Sequence, residues 1–219
     1  MKFDVRRSTE VLDEPLGMAP RLLALAAAVI LIAVYFLPLW SLTMFAPQYQ
    51  DGLRLYIYGY KLDGGNGGQD VREVDNLNHY IGMKTLTTED FTEFKWIPFA
   101  VGAFALLFLR AAAIGKVGTL LDLTVLYVYF SLFSLASFAY KLYLYGHNLD
   151  PKAAIKVDPF MPPMIGFKKI ANFDIYSYPG GAAYALTAVA LLLIAAMVIA
   201  LRRARREVPV DTRAAEARA

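Results

Sequence analysis

The sequence predicts a mainly α-helical integral membrane protein: a four-transmembrane-helix bundle with two extracytoplasmic loops, the first containing short β-strands. Three observations point there. Of 219 residues, 58% are hydrophobic and the mean hydropathy is +0.43, too apolar for an ordinary soluble domain. The excess is gathered into four runs, each close to the roughly 20 residues needed to cross about 30 Å of hydrocarbon. Basic residues collect at the ends of those runs, above all at Arg202, Arg203, Arg205 and Arg206, a mark of topology rather than of nucleic-acid binding. The chain has no cysteine, which removes disulfides, zinc-thiolate sites, iron–sulfur clusters and cysteine nucleophiles together.

Residues 1–21 form a polar cytoplasmic N-terminus. The apolar core of the first span, residues 22–40, exceeds the roughly 7–15 residues of a signal-peptide core and no small-x-small site follows, so an uncleaved helix ending at an interfacial Trp40 is expected. Residues 41–94 form the first extracytoplasmic loop. Leu53, Leu55 and Ile57 alternate with Arg54, Tyr56 and Tyr58, the period of a half-buried strand. The glycines from Gly64 to Gly68 mark a turn, and Asp70 reads as the N-cap of a short helix to Leu77 with Val71, Val74 and Leu77 on one face.

Thr87-Thr88-Glu89-Asp90 signals a helix start ahead of the second span at residues 95–113. The short cytoplasmic turn 114–118 makes the second span and the third, at 119–145, antiparallel neighbours. Asp122 would be costly at mid-membrane but lies in the first turn of its helix, where water and the dipole relieve it. Ser131, Ser134 and Ser137 recur every third residue, a ridge along which another helix can approach closely. In the second extracytoplasmic loop, 146–181, Asp150-Pro151 predicts a short helix over Lys152 to Ile155, Pro159 to Pro163 an extended run, and Ser177-Tyr178-Pro179-Gly180 a turn. The fourth span covers 182–201, and 202–219 reads as a disordered cytoplasmic tail. Charge balance puts both termini in the cytoplasm and both loops outside, a layout similar to that of claudin-like and tetraspanin-like proteins, without functional content.

The two histidines of the chain both fall in the loops, in Asn76-Leu77-Asn78-His79-Tyr80-Ile81-Gly82-Met83 and in Tyr145-Gly146-His147-Asn148-Leu149-Asp150-Pro151. His79 and Met83 are four apart, and imidazole nitrogen with thioether sulfur suits Cu(I), with His147 and Met161 or Met164 available from the second loop. Two histidines and scattered methionines fall short of a full ligand set. A structural reading therefore stands beside the metal one, with His79 bonded to loop backbone and Met83 filling an apolar gap.

Neither histidine is expected inside a helix, which argues against a bis-histidine haem. Asp63, Asn66 and Asp70 lack the spacing of a calcium loop and read as a solvated turn. An aromatic pocket for a quinone at Tyr127, Tyr129 and Phe133 is a weaker option. No acid–base or nucleophile constellation stands out, so the protein is not expected to be an enzyme.

Ala46-Pro47-Gln48-Tyr49, the run from Leu77 to Met83, the run from Tyr145 through Asp150-Pro151 to Lys156, and Ser177-Tyr178-Pro179 together resemble a family of small bacterial four-helix membrane proteins. That family is associated with gene neighbourhoods for nitrous oxide reductase maturation, beside its copper chaperones. The resemblance implies an inner-membrane accessory protein that helps assemble, or supplies copper or electrons to, a periplasmic copper enzyme such as nitrous oxide reductase. Its implied partners are the lipid bilayer and periplasmic or membrane maturation proteins, with no nucleic acid. The family carries an aliphatic residue where this chain has Met164, which narrows the metal candidates to His79, Met83 and His147. The alternative is a structural or interaction subunit of a membrane complex, with neither metal nor catalysis.

Overall fold

The computed structural model describes residues 5–170 and 172–207. Six α-helices and five strands follow in the order α1 (Val5–Asp13), α2 (Met18–Ile32), β1 (Trp40–Ala46), β2 (Tyr49–Ile57), β3 (Leu62–Gly64), α3 (Gln69–Tyr80), α4 (Glu93–Ile114), α5 (Val117–His147), β4 (Gly166–Ile170), β5 (Phe173–Pro179) and α6 (Gly181–Glu207). Four helical stretches are long and apolar enough to cross a membrane: Met18–Tyr35, Glu93–Ile114, Val117–His147 and Gly181–Glu207. Phe99 is 80% exposed, Leu106 69% and Leu191 63%, a surface that suits lipid and not water. This is a membrane protein.

The chain divides into two compact units. The first takes Met1–Ile30, Ala103–Tyr129 and Thr187–Ala219. Within it, Phe104 and Phe108 of α4 meet Tyr127 of α5 edge-on at 5.3 and 5.7 Å, and α6 buries Val189, Leu193, Ala196, Ala200 and Ala204 along one stripe. Within the polar N-terminal stretch, Val5–Asp13 is helical. Just past α1, the Leu16 amide donates to Gly115 O at 3.1 Å, the Val117 amide donates to Glu14 O at 3.0 Å, and Lys116 pairs with Asp13 at 2.8 Å. The turn between α4 and α5 is thus satisfied by backbone groups brought from the N-terminus. The expected tail begins later than residue 202, because α6 continues to Glu207; from 208 onward it lies outside the described residues.

The second unit takes Leu31–Gly102 and Phe130–Leu186. Its centre is an antiparallel sheet in the order β3-β2-β1-β5-β4, with strands from both connecting segments and not from the first alone. Met44 lies between Leu53 and Ile175, and Leu42 between Leu55 and Ser177. Met44, Leu53 and Ile175, with Leu42 beside them, pack with Val74, Leu77 and Ile81 of α3 and its exit into one core. Trp40 does not sit at a helix end. Pro38 intervenes, and Trp40 opens β1 with only 7% exposure. Its indole N–H donates to Ser177 Oγ at 2.9 Å and Met164 O at 3.0 Å, and its ring lies 4.9 Å from that of Phe138.

Two further expectations give way to tertiary pairing. Ser177-Tyr178-Pro179 is strand and not turn, with Pro179 at the very end of β5, where a missing N–H does least harm. Lys152 to Ile155 form no helix; Asp150 Oδ1 accepts the Lys152 amide at 2.8 Å in a tight turn.

Candidate functional site

The site is built at the end of α3. Its start is fixed not by Asp70 as cap but by Gly68, at φ +90°. Asp70, 3% exposed, sits inside the first turn. There its carboxylate accepts the Arg54 amide at 2.9 Å and the Asn66 side-chain amide at 2.7 Å, which docks α3 onto β2. The buried face is Val74, Leu77 and Asn78. The helix runs through His79 to Tyr80 and closes on Gly82, whose φ of +79° lets the Gly82 amide reach His79 O at 3.1 Å and the Met83 amide reach Asn78 O at 2.9 Å.

The second segment joins here through backbone hydrogen bonds. Asp150 donates its amide to Gly82 O at 2.8 Å and Ile155 donates to Tyr80 O at 2.9 Å, satisfying carbonyls that a helix end leaves open. A Cβ on Gly82 would stand 2.9 Å from both Asp150 O and Ala153 Cβ. The two segments therefore fold against each other.

They enclose a surface hollow of about 410 Å³, bordered by His79, Met83, Lys84, Asn148, Leu149 and Asp150 among others. His79 is exposed in the last turn of α3, and Met83 is half-buried, packing its other side against the core. His79 and Met83 both border this hollow, with the helix ending at Tyr80 between them. His147 is placed differently. It ends α5, its Nδ1–H donates to Tyr143 O at 2.9 Å, its ring stacks on Tyr143 at 3.8 Å, and it is not among the residues bordering the hollow. Both histidines thus lie in final helical turns, contrary to the sequence expectation. In a neutral His147 ring this bond leaves Nε2 as the ligand atom.

Among the described residues no group of three or more His, Cys, Asp or Glu could hold a metal ion. The donor set at the hollow is one imidazole and one thioether. That is a soft, incomplete set, which fits Cu(I) held in passing better than a resident hard cation. Asp63 and Asp70 do not converge: Asp63 pairs with Lys61 at 2.5 Å, which with the Gly64 amide holds its carboxyl below the usual range.

The chain matches no family model, no curated protein and no solved structure.

Lys84, at the rim of the hollow, belongs to an ion pair. Lys84 pairs with Asp90 at 2.5 Å, Thr87 Oγ1 donates to Asp90 Oδ2 at 2.9 Å, and these two contacts, Lys84 first, hold the Asp90 carboxyl below its ordinary value. A carboxyl lowered on folding contributes fully above its unfolded value of about 3.9 and loses that contribution as pH falls through the lower folded value. Residues 84–90 should therefore keep their amide-exchange protection from pH 7 to pH 5 and lose it below about pH 4, with Asp90→Asn flattening the profile. Loss of protection between pH 5 and 7 would refute this role for Asp90.

Proposed function

We propose that the protein is a multi-pass accessory protein of the bacterial inner membrane, with both termini cytoplasmic and the sheet and hollow facing the periplasm. It serves the maturation of, or the supply of copper or electrons to, a periplasmic copper enzyme such as nitrous oxide reductase. The observation that carries this reading is the shared hollow of His79 and Met83, walled on its far side by Asn148, Leu149 and Asp150. Those two donors would hold Cu(I), and the ion would supply a soft cation ready for exchange. An incomplete, solvent-open set releases its ion to a partner with more thiolates or imidazoles, as a delivery site needs. His147 serves as a third donor only if its Nε2 turns to the same ion. The role is binding and transfer rather than catalysis.

The test is titration of the purified full chain with Cu(I) against a competing chelator. His79→Ala and Met83→Ala should each weaken binding by at least about tenfold, and His147→Ala should do less. Stoichiometric binding that survives His79→Ala combined with His147→Ala would sink the copper reading.

One observation favours the alternative, an interaction subunit without metal: the stack and hydrogen bond of His147 on Tyr143 and the packing of Met83 into the core give both residues structural employment. Copurification of a partner indifferent to both histidine substitutions would support that reading instead.

A further inference from the structure

Within the first unit, arginines from three helices gather at the start of α2. Arg21 Nε donates to Leu16 O at 2.9 Å and Arg21 Nη1 to Ala113 O at 3.1 Å, so its side chain is held between α2 and the last turn of α4. A guanidinium has five N–H donors, and most of those on Arg21 remain unspent. Arg203 of α6 comes to the same place: a Cβ on the buried Gly17 would collide with its guanidinium, so glycine there makes room for the charge. Arg110 is exposed on α4, three residues before Ala113 and so on the same face.

The protein cancels only part of this charge. Arg203 pairs with Glu207 at 2.7 Å, whereas Arg21 and Arg110 meet no carboxylate among the described residues. Apolar surface begins directly beside them. Met18, Leu22, Leu25 and Val29 form one exposed stripe of α2, and Arg21, three residues after Met18 and four before Leu25, lies on its flank. In a membrane protein such a stripe is surface for acyl chains, and cations at its end stand where phospholipid headgroups begin.

We propose that the start of α2 binds one anionic phospholipid. Arg21 and Arg203 donate to its phosphate oxygens, Arg110 adds attraction from α4, and an acyl chain lies along Leu22, Leu25 and Val29. Guanidinium suits this ligand because its forked donors pair with two phosphate oxygens at once. The lipid is anionic because a zwitterionic headgroup would bring its own cation to a place already positive. It is a lipid and not a free phosphate because the charged cluster and the apolar stripe are continuous.

Native mass spectrometry of the full chain in detergent, titrated with phosphatidylglycerol and separately with phosphatidylcholine of the same acyl chains, tests this. One equivalent of phosphatidylglycerol is expected to bind at least about fivefold more tightly than phosphatidylcholine, and neither glycerol 1-phosphate nor inorganic phosphate should displace it. Arg21→Gln, Arg203→Gln and Arg110→Gln should each weaken phosphatidylglycerol binding by about fivefold. Arg110 is exposed and holds no described partner, so its variant keeps the test alive if Arg21→Gln fails to fold. Arg205→Gln, the same change of charge two residues along α6 and so on another face, should bind like the parent chain. The proposal falls if phosphatidylcholine binds as tightly, if either free phosphate displaces the lipid, if the folded arginine variants at 21, 110 and 203 bind like the parent chain, or if Arg205→Gln weakens binding as much as Arg203→Gln.

Discussion

Gly146→Ala is expected to release the second connecting segment from the end of α5. A Cβ at Gly146 would stand 1.8 Å from Phe160 O, and the Phe160 amide donates to Gly146 O at 3.0 Å, so the two backbones are in direct contact. No rotamer change relieves a clash with a carbonyl. The cost therefore exceeds the roughly 1–3 kcal/mol of ordinary overpacking. Phe160, which packs against the core, must withdraw. Limited proteolysis should then cut within residues 148–163 many times faster than in the parent chain. Gly67→Ala is the matched control: its φ of +66° strains an alanine, yet nothing lies within 4 Å of the added carbon. It should cost only about 1 kcal/mol and leave the segment protected. Equal protease resistance in Gly146→Ala and the parent would refute the close-contact account.

Trp40→Ala should be the most destabilising single truncation in the sheet. It removes a ring packed at 4.9 Å on Phe138 and an N–H shared between Ser177 Oγ and Met164 O. Losses of about 3–5 kcal/mol are usual for such a residue, which in a chain of this size lowers the unfolding midpoint by roughly 10 °C. Trp40→Phe should recover most of the loss, because Ser177 Oγ still donates to Met164 O at 2.9 Å without the indole. A midpoint shift under 2 °C for the alanine variant would mean that β1 is held by its ladder alone.

The four apolar helices were legible because length and hydropathy decide them without tertiary information. So was β2, whose buried Leu53 and Leu55 alternate with outward residues. β1 was hidden because Trp40 to Ala46 continues the apolar run of α2, and only Pro38 separates them. β5 carried the same alternation in Phe173, Ile175 and Ser177, all buried, but the Pro179-Gly180 turn signal at its end obscured it. Pairing with β1 is what makes it strand.

At the site, His79 and Met83 could be associated through their spacing. Asn148, Leu149 and Asp150 could not, since backbone bonds such as Asp150 to Gly82 leave no residue-type signature. The stack of His147 on Tyr143 was readable as a pair four apart on a helix, had α5 been carried two residues further.

The pairing of β1 with β5 also governs when this protein can finish folding during synthesis. β1 and β2 can zip together as soon as Ile57 has emerged, but the other margin of β1 waits for Phe173 to Pro179, more than a hundred residues later. Until then a nascent chain carries a hydrogen-bonding margin that any extended segment could occupy. A product cut short after the third apolar helix would keep that open margin permanently, and would be expected to aggregate or be degraded even with its first three helices intact.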